Sequence, residues 1–86
     1  MTTITHILML QHTAHDAQYA MEAFCNNHRS VLQEVNKRAN TVLLKSGAKL
    51  YFLWDEVQLR GREFHVVIIN ERVSGPIAQL ATTRVR

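Results

Sequence analysis

Cysteine occurs once in the 86 residues, as Cys25, proline once, as Pro76, and glycine three times, as Gly47, Gly61 and Gly75. A lone cysteine excludes a framework of internal disulfides, and without a CxxC spacing nothing points to structural zinc. Three scattered glycines leave no GxxxxGK segment followed by Ser or Thr, so a nest of backbone N–H groups for phosphates is missing. No apolar run approaches the roughly 18 residues of a membrane-spanning helix. The N-terminal stretch up to His15 has neither a basic region nor a small-residue cleavage site, so no signal peptide is expected and the expected compartment is the cytoplasm. What remains is ordinary for a folded chain: 47% hydrophobic and 20% charged residues with a net charge of +3. One domain over residues 1–86 is predicted, of marginal stability, because chains of this size bury only about 60% of their unfolded surface.

The apolar block Ile4-Thr5-His6-Ile7-Leu8-Met9-Leu10 is too short for a core helix and predicts a buried strand. Thr13 and Asp16 then stand at the spacing of a capping box, with the acid at the positive end of the helix dipole. Behind them Ala17, Met21, Phe24, His28, Leu32, Val35 and Ala39 recur at helical steps, predicting one helix or two abutting helices over 14–38. Asn26-Asn27 and the second capping spacing at Ser30-x-x-Gln33 mark the place for a break. Asn40 reads as the helix stop.

Two β-prone runs, 41–45 and 49–54, flank Ser46-Gly47-Ala48 and predict a hairpin. With Ser46-Gly47 as the loop, Leu43, Leu50 and Phe52 share one face, and Val42, Leu44, Tyr51 and Leu53 the other. Both faces are apolar, so the hairpin wants cover on two sides. After the charge-rich stretch Asp55–Glu63, the continuous apolar run Phe64–Ile69 predicts a central parallel strand covered on both faces. Ser74-Gly75-Pro76 breaks the chain before a short helix in 77–86. The predicted fold class is α/β: a small sheet of three to four strands in the order strand, helix, hairpin, strand, short helix, with one main amphipathic helix.

The run Leu44-Lys45-Ser46-Gly47-Ala48-Lys49-Leu50-Tyr51-Phe52, followed by Leu59-Arg60-Gly61-Arg62-Glu63-Phe64 and the strand ending in Asn70-Glu71, resembles part of the P-loop ATPase core of phage terminase large subunits and related helicases. The similarity spans residues 4–72. By that resemblance Glu71 matches the glutamate that polarises the attacking water, while Asn70 stands where the family has a magnesium-holding Asp. Without the glycine-rich loop and that Asp, the resemblance implies a degenerate relative that uses the scaffold for contacts rather than ATP hydrolysis, and it suggests a phage or other mobile element as the origin. Fold does not carry function with it.

No catalytic residue and no metal ligand set is predicted. His12-x-x-His15-Asp16 offers three possible ligands but no fourth, and Cys25, three residues from His28, sits beside the apolar stripe as a small hydrophobe. His28 and His65 read as structural histidines.

The basic residues carry more: ten Lys and Arg against seven acids, grouped rather than dispersed. Arg60, Arg62 and Arg72 are the candidate phosphate contacts, Lys45 and Lys49 add charge from the hairpin, and Tyr51 and Trp54 offer stacking surfaces for bases. The function expected is a small basic accessory protein, not an enzyme and without a cofactor, that binds DNA or RNA or a nucleic-acid-processing machine. The alternative is a homodimeric or inhibitory module that docks on a protein through the apolar hairpin. Either reading includes self-association and no membrane contact.

Overall fold

A computed structural model describes residues 4–85. The chain runs β1 (Thr5–Leu10), α1 (Ala14–Asn27), a 3-10 turn (Arg29–Val31), β2 (Leu32–Asn36), β3 (Thr41–Leu44), β4 (Ala48–Leu53), α2 (Glu56–Leu59), β5 (Val66–Ile69) and α3 (Gly75–Thr82). The class is α/β, and the sheet is mixed and five-stranded, in the order β2-β3-β4-β1-β5, rather than three- to four-stranded. β1 lies parallel to both β4 and β5, while β2, β3 and β4 form an antiparallel meander.

The extra strand comes out of the predicted helix. α1 begins as its capping residues dictate, with Thr13 accepting the Asp16 N–H at 3.1 Å, but it ends at Asn27. Residues 32–36 join the sheet instead of continuing the helix to 38. The reason is a bulge between Leu32 and Glu34, which sets Leu32 opposite Leu44 and Val35 opposite Val42. One inserted residue puts two positions three apart on the same face of a strand, and so imitates helical spacing. Asn40, with φ of 54°, ends the β2–β3 turn rather than a helix.

The hairpin forms where expected but in a different register. Its loop is Lys45-Ser46-Gly47, closed by the Gly47 N–H on the Leu44 carbonyl at 3.0 Å, with Gly47 at φ of 95°. Val42 therefore faces Leu50 and Leu43 faces Lys49. A shift of one residue in pairing exchanges which side chains share a face. Val42, Leu44, Leu50 and Phe52 pack with Ile7 and Met9 against Ala17, Met21 and Phe24 of α1. On the opposite face Leu8, Leu10, Tyr51, Leu53, Val67 and Ile69 pack against Leu59 of α2, Phe64, and Ile77, Leu80 and Ala81 of α3. The α1 face of the hairpin is thus covered from within the chain. On the other face the cover reaches Tyr51 and Leu53 of β4, and Leu43 of β3 lines a groove with Glu34, Asn36 and Lys49.

β5 is an edge strand, not the central one. Val67 and Ile69 pack under α3, but Val66 and Ile68 on the α1 side are 43% and 50% exposed. α1 lies over β4, two strands away, and leaves them open to solvent. A parallel bridge from Phe64 to Val85 caps only the start of that edge. The charge-rich segment folds into α2, whose capping box has Asp55 accepting from the Val57 N–H and Gln58 accepting from the backbone of Trp54 and Asp55. Among the described residues no helix is long and apolar enough to cross a membrane.

Candidate nucleic-acid interface

Three of the seven candidate residues meet at the end of the sheet where the parallel strands begin. Register places Lys49 of β4 beside His6 of β1, and Tyr51 two residues further along on the same face. The Lys49 ammonium stands 5.3 Å from the centre of the Tyr51 ring, and the Arg62 guanidinium 5.7 Å. Cations over an aromatic ring are held by its quadrupole, which orders side chains that would otherwise sample many rotamers. Arg62 reaches the ring because Gly61, at φ of 71°, turns the chain sharply after α2. Lys45 lies in the hairpin loop at this same end, next to the start of β1, where the Thr5 N–H donates to the Gly47 carbonyl at 3.0 Å.

His6, which no sequence pattern singles out, belongs to the same group. Its Nδ1 lies 2.7 Å from the Tyr51 hydroxyl, and its ring is near-parallel to that of His65 at 5.7 Å, with 12° between the planes. Tyr51 also meets Phe64 edge-on at 5.3 Å. Bonded at its hydroxyl and flanked by two cations, the Tyr51 ring is already engaged, so a base must displace a neighbour to stack on it. An open cavity of about 410 Å³ adjoins this group, lined by His6, Tyr51, Gly61, Arg62, Glu63 and Phe64. Nothing in one sequence announces the pairing of His6 with His65, because it exists only once β1 and β5 are known to be neighbours.

The other candidates lie elsewhere. Arg60 is on the solvent side of α2 in an exposed ion pair with Glu56 at 3.3 Å. Arg72 follows β5 at the opposite end of the sheet, on a cavity of about 270 Å³ shared with Gln11, Asp16, Tyr19 and Asn70. There the Asn70 amide donates to the Gln11 side-chain oxygen at 3.2 Å and its own oxygen accepts the Arg72 N–H at 2.9 Å. Trp54 follows β4 at that far end and packs against the core beneath α1. Of the predicted set, the fold gathers Lys49, Tyr51 and Arg62, keeps Lys45 near them, and separates Arg60, Arg72 and Trp54.

Cys25 is half-buried in a groove of about 440 Å³ between α1 and β2, among Met21, Leu32 and Val35. The ring of His28 rests on Phe24, with 4.6 Å between centroids. His12 and His15 are exposed at the start of α1. Among the described residues no three His, Cys, Asp or Glu side chains gather as a metal ion requires.

Comparisons of the chain with protein-family models, with curated proteins and with solved structures find no match.

Proposed function

We propose that the protein is a small basic accessory protein that binds nucleic acid through its phosphates and performs no chemistry on it. The observation that carries this reading is the stacked arrangement of Lys49 and Arg62 on Tyr51 beside an open cavity. Two cations of different elements, ordered by one ring and facing solvent, suit phosphate oxygens better than they suit protein burial. Because the ring is taken up by those cations, the contact reads backbone rather than base, and binding is indifferent to sequence. Excess positive charge, ten basic residues against seven acidic, adds long-range attraction.

The test is a fluorescence-anisotropy titration of labelled single- and double-stranded DNA and RNA at roughly 50 and 200 mM salt. Saturable binding that weakens steeply with salt supports the reading. The double variant Lys49→Ala/Arg62→Ala then binds more weakly, and its salt slope falls by about 1 for each phosphate contact removed. No binding at the lower salt rejects the reading.

A second reading, a module that docks on another copy of the chain, is favoured by the exposed Val66 and Ile68 on edge strand β5. Uncovered strand edges with apolar side chains are templates for pairing. It differs from the first in tolerating salt, and sedimentation equilibrium that shows only monomer at high protein concentration rejects it.

A further inference from the structure

The cavity beside Tyr51 has an unusual charge balance. Its two formally charged lining residues, Arg62 and Glu63, are adjacent in sequence and opposite in sign. Their charges cancel to first order. Of the remaining lining residues, Gly61 and Phe64 carry no ionisable group, and the Tyr51 hydroxyl is already engaged with His6 Nδ1. Among the described lining residues, His6 is the one whose gain of a proton changes that balance.

We infer that His6 is the residue that sets phosphate affinity here, and that binding is coupled to uptake of a proton by its imidazole. This rests on the nucleic-acid reading above and names the regulation of that same site. With His6 neutral, Arg62 and Glu63 offset one another and Lys49, beyond the ring, is the remaining cation near the phosphate. With His6 protonated, the lining is net positive and the anion meets two cations, His6 and Arg62, with Lys49 beyond the ring.

The local geometry accommodates the added proton on His6. Its Nδ1 faces a hydroxyl, which both donates and accepts, so a protonated Nδ1 donates to the Tyr51 oxygen without losing the contact. His65 is arranged differently. Its Nδ1 accepts the backbone N–H of His6 at 2.9 Å, a bond that only an unprotonated Nδ1 can accept. His65 therefore acts as a positioning residue that holds the His6 backbone and backs its ring, while His6 carries the charge. Among the described residues, the charged and titratable groups about His6 include Lys49 and Tyr51 from β4, Arg62 and Glu63 of the α2–β5 loop on the same cavity, and His65 ahead of β5. Lys49 and Arg62 oppose protonation of the free protein and Glu63 favours it. A bound phosphate adds a second anion and tips the balance, because an opposite charge within a few ångströms favours the charged form.

The experiment is the anisotropy titration of a labelled single-stranded DNA at roughly 50 mM salt, repeated from about pH 8 to pH 5.5, across the ordinary imidazole range. The wild type gains about tenfold in affinity as pH falls, the size of a one-unit difference in imidazole affinity for the proton between free and bound states. His6→Gln binds at all pH values as weakly as the wild type does at high pH, and His6→Arg binds tightly throughout. In the wild type, the His6 ring signals in a ¹H–¹³C spectrum move toward the protonated position when the DNA is added at neutral pH, which needs no variant to fold. Binding that ignores pH, or a pH response that survives in His6→Gln, overturns the inference while leaving the nucleic-acid reading intact. Absence of binding at every pH overturns both.

Discussion

His6 and His65 hold each other by their backbones as well as by their rings: the His6 N–H donates to His65 Nδ1 at 2.9 Å, and the His65 N–H donates to the His6 carbonyl at 2.8 Å. This exchange stands at the start of β5, just before its regular pairing with β1, where Ile7 faces Val66. It registers the edge strand and, through His6, positions the Tyr51 hydroxyl at the candidate site.

Replacing His65 by Leu keeps bulk but removes the acceptor. The His6 N–H is then left unpaired in a partly buried position, at a cost of about 1 kcal/mol. For a domain of this size that lowers the thermal midpoint by roughly 4–8 °C. Thermal unfolding followed by circular dichroism checks this, and an unchanged midpoint would show that the bond contributes nothing to stability.

The same edge strand shows what a sequence pattern conveys and what it hides. Strand β1, the start of α1, the hairpin and the α/β class were all legible, because each rests on a local signal: an apolar block, a cap, or a turn residue. The edge placement of β5 was not. An uninterrupted apolar run arises from cover on both faces, but Val66-Val67-Ile68-Ile69 has cover on one face only, and where α1 lands is a long-range outcome. Likewise, Leu32 and Val35 match a helix period and a bulged strand equally well. Of the candidate site, the charges and Tyr51 were visible and His6 was not, because its neighbours come from β4 and β5.

That difference in cover yields a paired prediction. Ile68, half exposed, tolerates Ile68→Thr with a change within about 0.5 kcal/mol, as surface substitutions usually do. Leu8, with no exposed surface, loses about 2–5 kcal/mol as Leu8→Ala through the cavity it leaves. Urea denaturation of both variants measures this. A large loss at Ile68 would mean that its face is covered in solution.

Gly47 closes the hairpin loop at φ of 95°, where a β-carbon is strained. Gly47→Ala is expected to cost about 1–2 kcal/mol. The strain acts on the loop that sets the register of Val42 on Leu50, so the loss appears in the denaturation midpoint with little change in slope. Stability equal to the wild type would show that the loop does not hold residue 47 in the left-handed region.

Two arginines two residues apart in the chain separate the candidate interface from ordinary surface. Arg60 and Glu56 form an exposed i, i+4 pair, worth between about 0 and 1 kcal/mol to stability, and the Arg60 charge is largely offset by its partner. Arg62, one glycine further on, lies over Tyr51 and lines the cavity beside His6. Arg60→Ala should therefore leave nucleic-acid affinity within about twofold of the wild type, whereas Arg62→Ala loses about tenfold at low salt, a typical value for one charge-assisted phosphate contact. The comparison is internal: both variants remove the same charge from the same loop region, so long-range attraction falls equally in both. A difference between them isolates the local contact. Equal losses would show that net charge alone drives binding, and that the arrangement of cations around Tyr51 has no part in it.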